Sequence, residues 1–296
     1  MEGGADMESA EEIGALLKTR RLGRRLTCLA RVDSTNDFLK RLAETLPDGA
    51  AAAARVQTAG RGRQGNRWAS AEGRTAEFSV LLKSPREASA PPLTMLCGLA
   101  VCRALDALAP PVPGTSSDAS GPDMSREPFC IKWPNDIVCA GKKICGILCE
   151  ARLAPGLSAT VCGIGVNLSQ PAEFFEVAEL PWGASVRMLR GAAPSAAQVV
   201  AGVLNELEPL LELRAEDAPG FFAAYAKRCV TLGRQVRVHT PSGELTGVAE
   251  ALGPDGSLLL RRGGELAPVF AGDVSVRGLM GYTDRLTPGQ SPGAVR

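Results

Sequence analysis

The sequence predicts an α/β (α+β) fold, in which a mixed β-sheet domain backed by helices is followed by a small C-terminal β-barrel. Strand-like and helix-like segments alternate from Leu26 onward, and short strands with tight turns replace this alternation after Gly233. The length of 296 residues also exceeds the usual size of one domain. The expected units are an N-terminal tail (1–25), a large domain (26–229), a small β module (230–283) and a C-terminal tail (284–296).

Hydrophobic periodicity and turn residues assign the elements of the large domain. A helix is expected to begin at the capping residue Ser34, with Leu39, Leu42 and Leu46 on one face. Residues 110–127 are rich in Pro, Ser, Gly and Asp, and we expect a disordered insertion there. The other expected elements are strands over 51–58 and 75–83, helices over 93–108 and 195–213, and strands in FCIKW, DIVCA, KICGILCEARL and SATVCGIGVNL.

Charge and cysteine content exclude several classes of function. Lys and Arg number 33 against 32 Asp and Glu, so the bulk charge indicates neither DNA nor membrane binding, and any phosphate site must be a local cluster. The acidic N-terminus and the lack of a long apolar run favour a soluble cytoplasmic protein. Nine cysteines occur without a CxxC pair, and His239 is the single histidine, so we expect reduced, mostly buried thiols and assign no metal ligand.

The densest functional signal is the run Gly60-Arg61-Gly62-Arg63-Gln64-Gly65-Asn66-Arg67-Trp68. Glycines permit a tight turn that directs backbone N–H groups at an anion, and guanidinium groups donate paired hydrogen bonds to phosphate or carboxylate. The run matches neither a Walker loop nor a Rossmann fingerprint. An indole after such a loop can stack on a purine. The alternative interpretation is a basic surface turn followed by a core tryptophan.

A second cluster is Lys132-Trp133-Pro134-Asn135-Asp136, followed by Lys142-Lys143. Pro134 interrupts a central strand, so Asn135 and Asp136 are expected in a turn, and the next strand begins with lysines beside it. A lysine near a carboxylate at the mouth of a strand can neutralise charge that develops in a reaction. The alternative is that Lys142 and Lys143 form a solvated hairpin end.

Taken together, five ordered segments resemble biotin protein ligases, the family that includes holocarboxylase synthetases. They are DSTN (33–36), QTAGRGRQGNRW (57–68), KWPND (132–136), KKICGIL (142–148) and GIGVNL (163–168). The resemblance implies a short form without an N-terminal DNA-binding domain, and a C-terminal module that is SH3-like. It implies biotin contacts at Ser34, Thr35, Asn36, Gln57, Gly60, Arg61, Gly62, Arg63, Lys143, Gly146, Leu148 and Gly163, and nucleotide contacts at Arg63, Trp68, Lys143 and Asn167.

The resemblance implies ATP-dependent, AMP-forming activation of biotin to biotinyl-5′-AMP, followed by transfer to a lysine of a biotin carrier domain of a carboxylase. Lys143 and Arg63 are the candidate catalytic residues, because a carboxylate and a phosphate must meet. Leu148 and Val166 are expected to form an apolar wall for biotin. Mg²⁺ is expected with ATP, but no ligand is assigned to it. Asp136 is expected to contribute to the polar network of the site, and the protein is expected to be a monomer or homodimer.

Three alternatives remain beside this interpretation. A lipoate-type ligase of the same fold would not be expected to combine GRGRxG with KWPND. A biotin-sensing repressor would need a winged helix, for which the 25 residues before Leu26 leave no room. A non-enzymatic biotin or nucleotide binder would be favoured if Arg63 or Lys143 were missing, and both are present.

Overall fold

The computed structural model describes residues 10–83, 92–110, 127–155, 157–213, 217–240, 243–270, 273–276 and 279–280. Most of the predicted insertion at 110–127 and the whole predicted tail at 284–296 lie outside these residues. Within them, the chain forms one mixed sheet with helices and a second, separate antiparallel sheet. The predicted fold class is confirmed.

The described part of the large domain contains a seven-stranded sheet in the order β1-β2-β3-β7-β6-β5-β4. β1 and β2 pair in parallel, and every other neighbouring pair is antiparallel. The strands are β1 (Leu26–Leu29), β2 (Ala51–Ala54), β3 (Thr75–Leu82), β4 (Cys130–Lys132), β5 (Asp136–Cys139), β6 (Lys142–Ala154) and β7 (Leu157–Asn167).

Helices cover both faces of this sheet. On one face α3 packs against α6 and against the sheet, and these elements share the main apolar core. On the other face α2 packs on β2, β3 and β7 through a smaller cluster that includes Leu39, Leu81 and Val161. The helices are α1 (Ala10–Leu16), α2 (Thr35–Arg41), α3 (Leu93–Leu108), α4 (Ala172–Val177), α5 (Val186–Arg190), α6 (Ala196–Leu213) and α7 (Ala218–Ala226).

The expectation of a tail over 1–25 needs correction for residues 10–25. Helix α1 packs against α6, and Ile13, Leu17 and Leu22 are buried in the main core. The carboxylate of Glu208 in α6 accepts backbone N–H bonds from Arg20, at 2.5 Å, and from Leu22, at 2.8 Å. Apolar burial and these bonds hold the segment to the domain.

The C-terminal module is a five-stranded antiparallel sheet in the order β11-β10-β9-β8-β12. It is joined to the large domain at the KWPND turn, where the indole nitrogen of Trp133 donates to the Gly256 carbonyl at 3.1 Å. Trp133 is 2% exposed. The strands are β8 (Gln235–Thr240), β9 (Gly243–Leu252), β10 (Leu258–Arg262), β11 (Glu265–Val269) and β12 (Asp273–Val276).

The predicted helix after Ser34 is shorter than its apolar pattern. Ser34 caps α2 as predicted, since its hydroxyl accepts the backbone N–H of Asp37. The helix ends at Arg41, so Leu42 lies beyond it and is 38% exposed, while Leu39 is fully buried. Elsewhere, α3 matches its predicted bounds. No helix in the described part of the chain is both long and apolar enough to span a bilayer.

Candidate active site

A cavity of about 620 Å³ lies on the α2 face of the large sheet. This volume is within the range of ligand pockets. It is bounded by the start of α2, the 61–68 loop, the KWPND turn, and β6 and β7, with His239, Val274 and Ser275 contributed by the C-terminal sheet. The predicted site residues that line it are Ser34, Thr35, Asn36, Gln57, Arg61, Gly62, Arg63, Trp68, Lys143, Gly146, Leu148 and Gly163.

Three predicted positions lie elsewhere. Gly60 borders the outer side of the loop, where a smaller cavity extends to Leu148 and Glu150. Asn167 is buried at the end of β7, where its amide donates to the Ala184 carbonyl at 3.2 Å and accepts from Gln170 at 2.9 Å. Val166 lies in the main core instead of the cavity wall, because side chains alternate along β7.

A buried hydrogen-bond network forms the polar wall at the start of α2. The side-chain oxygen of Gln57 accepts the Thr35 backbone N–H at 2.8 Å. The Thr35 and Ser79 hydroxyls lie 2.7 Å apart, and the Ser79 hydroxyl donates to the Asn36 amide oxygen at 2.6 Å. Thr35, Asn36 and Ser79 are all less than 5% exposed. These bonds fix the orientation of the polar groups, as selective recognition of a small polar ligand requires.

Two glycines on β7 permit side chains to lie flat on the sheet. A Cβ atom at Gly163 would lie 2.2 Å from the amide oxygen of Asn36, and one at Gly165 would lie 2.6 Å from the Trp68 indole. The Asn36 amide therefore covers Gly163 and donates to the Leu148 carbonyl at 3.1 Å. The Trp68 ring covers Gly165, so both positions need the close approach that only glycine allows.

The 60–68 loop folds back on itself as a short hairpin. The Gly62 N–H donates to the Asn66 carbonyl at 2.7 Å, and the Trp68 N–H donates to the Gly60 carbonyl at 3.0 Å. A one-turn 3-10 helix, Arg63–Gly65, forms its tip, where Gln64 adopts a left-handed conformation with φ of 53°. This compact loop carries Arg61 and Arg63 on fixed backbone.

Two of the three arginines of the loop, Arg61 and Arg63, contact the sheet domain. The Arg61 guanidinium lies 2.7 Å from carboxylate oxygens of Asp37 and Glu150. The Arg63 guanidinium donates to the Asn135 side-chain oxygen at 2.9 Å in the KWPND turn. The loop is thus tied to α2 and β6 through Arg61, and to the turn before β5 through Arg63.

The basic end of the cavity is organised around Asp136, the first residue of β5. The Lys143 ammonium lies 2.8 Å from one Asp136 oxygen, and that of Lys132 lies 3.5 Å from the other. Burial would raise the pKa of Asp136, but the two lysines outweigh it and hold that pKa below its usual value. The predicted pairing of a lysine at the start of β6 with a carboxylate is confirmed for Lys143.

The neighbouring Lys142 has the surface role that the alternative interpretation described. Its ammonium donates to the Pro181 carbonyl at 2.9 Å and lies 5.2 Å from the centre of the Trp182 ring. Alternation along β6 therefore separates the two lysines. Lys143 lines the cavity, whereas Lys142 lies outside it.

A buried carboxylate, Glu77 on β3, supports two parts of the site at once. One oxygen accepts the Trp68 indole N–H at 2.9 Å, while the other accepts the Gln57 backbone N–H at 3.1 Å and the Ser70 hydroxyl at 2.8 Å. Glu77 is 1% exposed, and this burial raises its pKa although the hydrogen bonds act in the opposite direction. Glu77 couples the position of Trp68 to that of Gln57.

Comparison with known proteins shows the family to which this chain is related. The model for the biotin/lipoate A/B protein ligase family matches residues 28–167, and the model for the biotin protein ligase C-terminal domain matches residues 231–277. The biotin--[acetyl-CoA-carboxylase] ligase of Mycobacterium tuberculosis is 34% identical over 260 residues, which cover 85% of this chain and 88% of the relative. The chain belongs to the biotin protein ligase family.

Other members of the family show the same relationship. The biotin--[acetyl-CoA-carboxylase] ligase of Paracoccus denitrificans is 32% identical over 247 residues, covering 79% of this chain and 92% of the relative. The biotin protein ligase of Aquifex aeolicus, solved in complex with biotin and ATP, has a TM-score of 0.68 and 27% identity, covering 86% of this chain and 99% of that one. The similarity to biotin protein ligases therefore includes both sheets.

Sequence reasoning missed several residues that shape the site. Ser79 and Glu77 lie within β3, where a buried polar residue in an apolar run is a signal that could have identified them. Glu150 is two residues beyond the KKICGIL segment, and its carboxylate also contacts Asn36, at 2.7 Å. His239 and Ser275 come from the C-terminal sheet, and no local pattern indicated that this sheet reaches the cavity.

Proposed function

We propose that this protein uses ATP to convert biotin to biotinyl-5′-AMP and then transfers the biotin to a lysine of a biotin carrier domain. The observation that carries the proposal is one cavity with a neutral hydrogen-bonding wall at Thr35, Asn36 and Gln57 and a basic end at Arg63 and Lys143. Two substrates of different character, an uncharged ring system and a polyphosphate, fit such a division. The family relationship supports the same reaction.

We place the ureido ring of biotin against the wall at the start of α2. The ring offers one carbonyl acceptor and two N–H donors, which hydroxyl and amide side chains can match. Ser34, Thr35 and Gln57 supply these groups, and the network through Ser79 holds them in place. Leu148 lines the cavity and offers an apolar contact for the rest of the molecule.

The first step joins two anions. A carboxylate oxygen of biotin attacks the α-phosphorus of ATP, the bond to pyrophosphate breaks, and a mixed anhydride remains. Lys143 and Arg63 lower the repulsion between the reactants and stabilise the charge that develops on the phosphoryl oxygens. Asp136 holds the Lys143 ammonium at 2.8 Å, and Asn135 holds the Arg63 guanidinium at 2.9 Å.

The second step is aminolysis of the anhydride. The carrier lysine, as a free amine, attacks the biotinyl carbonyl, and AMP leaves with the electrons of the broken carbon–oxygen bond. This sequence requires no covalent bond to the enzyme. We assign Trp68 to the adenine, because an indole lying over Gly165 in the cavity offers a stacking surface.

Mg²⁺ is expected with ATP, but the residues that line the cavity offer it few oxygen ligands. Among the described residues that line the cavity, Asp136 provides the carboxylate, and its two oxygens already face Lys143 and Lys132. A hard cation prefers free oxygen ligands. These residues do not fit a protein-held Mg²⁺, and no step above depends on one.

The proposal extends to partner and location. The partner is the carrier domain of a biotin-dependent carboxylase, without DNA or membrane, and the acting form is a monomer or homodimer. None of the nine cysteines, all of which lie among the described residues, forms a disulfide, which fits a reducing compartment such as the cytoplasm.

The test combines the purified protein with ATP, Mg²⁺, biotin and a carrier domain, and follows the intact mass of the carrier. We expect a gain of one biotinyl group that requires ATP and is lost when the acceptor lysine of the carrier is replaced by arginine. A parallel reaction with lipoate in place of biotin tests the alternative ligase activity. Modification by lipoate alone, or none by either acid, would overturn the proposal.

A further inference from the structure

Three cysteines from three separate elements meet behind the cavity. Cys149 of β6 and Cys162 of β7 are directly paired in the antiparallel ladder, and Cys97 reaches them from the second turn of α3. Their sulfur atoms all lie within 4.8 Å of one another. Cys97 and Cys162 are fully buried. Sequence spacing gave no sign of this cluster, because metal-site patterns rely on ligands close together in the chain.

The thiol cluster of Cys97, Cys149 and Cys162 lies on the sheet face opposite the cavity. The residues next to it in the chain, Leu148 and Gly163, line the cavity, whereas Cys97 and Cys162 belong to the main apolar core beneath α3. Side chains alternate along a strand, so one backbone layer separates the thiols from the cavity. The cluster is a feature distinct from the catalytic residues.

Charge decides which ion such a cluster could hold. Thiolates prefer soft ions, and three of them can form a trigonal set. Three thiolates leave a net charge of −2 with a monovalent ion and −1 with a divalent ion, and an uncompensated charge in an apolar core is strongly unfavourable. A trivalent ion leaves no net charge. It also needs no fourth ligand when it carries a lone pair, as arsenic(III) does.

We propose that Cys97, Cys149 and Cys162 form a binding site for a trivalent thiophilic metalloid of the arsenite class. Binding replaces the three hydroxyl groups of arsenous acid by three sulfur atoms. Three As–S bonds form, each thiol proton leaves with one hydroxyl as water, and no oxidation state changes. The product is a neutral tris-thiolate that joins α3 to β6 and β7.

Entry to the site requires local opening. Cys97 lies near the beginning of α3, which starts at Leu93, and helix ends open more readily than helix centres. We therefore expect slow binding and, once bound, a higher melting temperature, because a ligand that binds only the folded state stabilises it.

The experiment uses the intact folded protein and arsenite, followed by native mass spectrometry. We expect one arsenic per chain, with a mass gain of one arsenic atom less three hydrogens. Attachment through two thiols retains a hydroxyl on arsenic, so that product would be heavier by one water. The Cys97→Ala, Cys149→Ala and Cys162→Ala variants should each lose the three-thiol product and the rise in melting temperature.

Cys102→Ala is the matched control, because Cys102 is also fully buried on α3 but lies outside the cluster. It should bind arsenic as the parent does. Should one of the three alanine variants fail to fold, the serine variant at the same position takes its place. The proposal is overturned if the parent takes up no arsenic, forms only the two-thiol product, or binds Zn²⁺ through these cysteines while rejecting arsenite. Since carrier biotinylation plays no part in this assay, its outcome is independent of the proposed function.

Discussion

Replacement of Lys143 by alanine tests the basic end of the cavity most directly. The variant removes an ammonium group that lies 2.8 Å from Asp136 and lines the cavity. We expect adenylate formation to fall by at least about a hundredfold, because loss of one preorganised charge stabiliser typically reduces kcat by about 10²–10³. Release of pyrophosphate during a single turnover with biotin and ATP measures this step without the carrier.

The same variant has a second effect, which depends on pH. In the parent, the lysines hold the pKa of Asp136 below its usual value. The stabilisation they give is therefore complete at neutral pH and is lost as the pH falls through that lowered pKa. Without Lys143, burial should raise the pKa of Asp136. The folded state then loses stability as the pH rises through that raised pKa, because the buried carboxylate becomes charged. We expect the variant to lose about 1.5–3 kcal/mol of unfolding free energy at neutral pH, and less in acid.

Lys142→Ala is the matched control, since Lys142 contacts Pro181 and Trp182 outside the cavity. It should retain near-parent pyrophosphate release. Urea unfolding at several pH values measures the stability difference. Near-normal pyrophosphate release by Lys143→Ala would refute the assignment of this lysine to the reacting phosphate. A stability difference that does not change with pH would refute the account of Asp136.

Three further predictions concern the loop and its support. Trp68→Ala should weaken ATP binding by about 1–3 kcal/mol and biotin binding less, whereas Trp182→Ala should change neither. If calorimetry showed equal losses of binding free energy for ATP and biotin, stacking on adenine would be contradicted. Arg63 is expected to hold the adenylate in the site, so Arg63→Gly should still form adenylate but release it about ten- to a hundredfold faster. Bystander proteins should then become biotinylated without a carrier. This role is contradicted if mass spectrometry shows neither free adenylate nor scattered lysine labelling. Because burial raises the pKa of Glu77, this carboxyl should make the parent lose stability as the pH rises from the ordinary carboxyl pKa through that raised pKa. Glu77→Gln should lack this slope when unfolding is measured over a pH series.

Local patterns predicted the main elements because each pattern has a direct structural cause. The apolar run after Pro92 forms α3 over its predicted bounds, and Ser34 caps α2 as expected. The helix pattern failed at Leu42, because the apolar periodicity continues past Arg41, where the regular helix ends and turns follow. Residues 1–25 were expected to be a tail, yet α6 supplies both an apolar face and the Glu208 carboxylate that hold residues 10–25 to the domain. Such support comes from distant residues, and no local window contains it.

The motifs identified most of the cavity lining but not the bonds that organise it. Arg63, Lys143 and the carboxylate beside Lys143 could be named from their segments, whereas Asn135 gained its role as the partner of Arg63 only in the structure. The nucleotide contact at Asn167 stays a prediction, and in this structure its side chain donates to the Ala184 carbonyl and does not line the cavity. The resemblance of a segment to a family motif indicates the region in which a residue lies. The alternation of side chains along a strand then determines which face of the sheet its side chain reaches.

The bond between the Trp133 indole and the Gly256 carbonyl limits how freely the two sheets can be exchanged between proteins. Gly256 has a φ of 81°, and a Cβ atom there would lie 2.7 Å from Met95 and Pro92. A chimera that imports a C-terminal module from another ligase must keep a glycine at this position, or the imported turn will not seat against the tryptophan. A module seated differently would also displace His239 and Ser275 from the cavity. For protein engineering, the KWPND turn and the turn around Gly256 are a matched pair that should be transferred together.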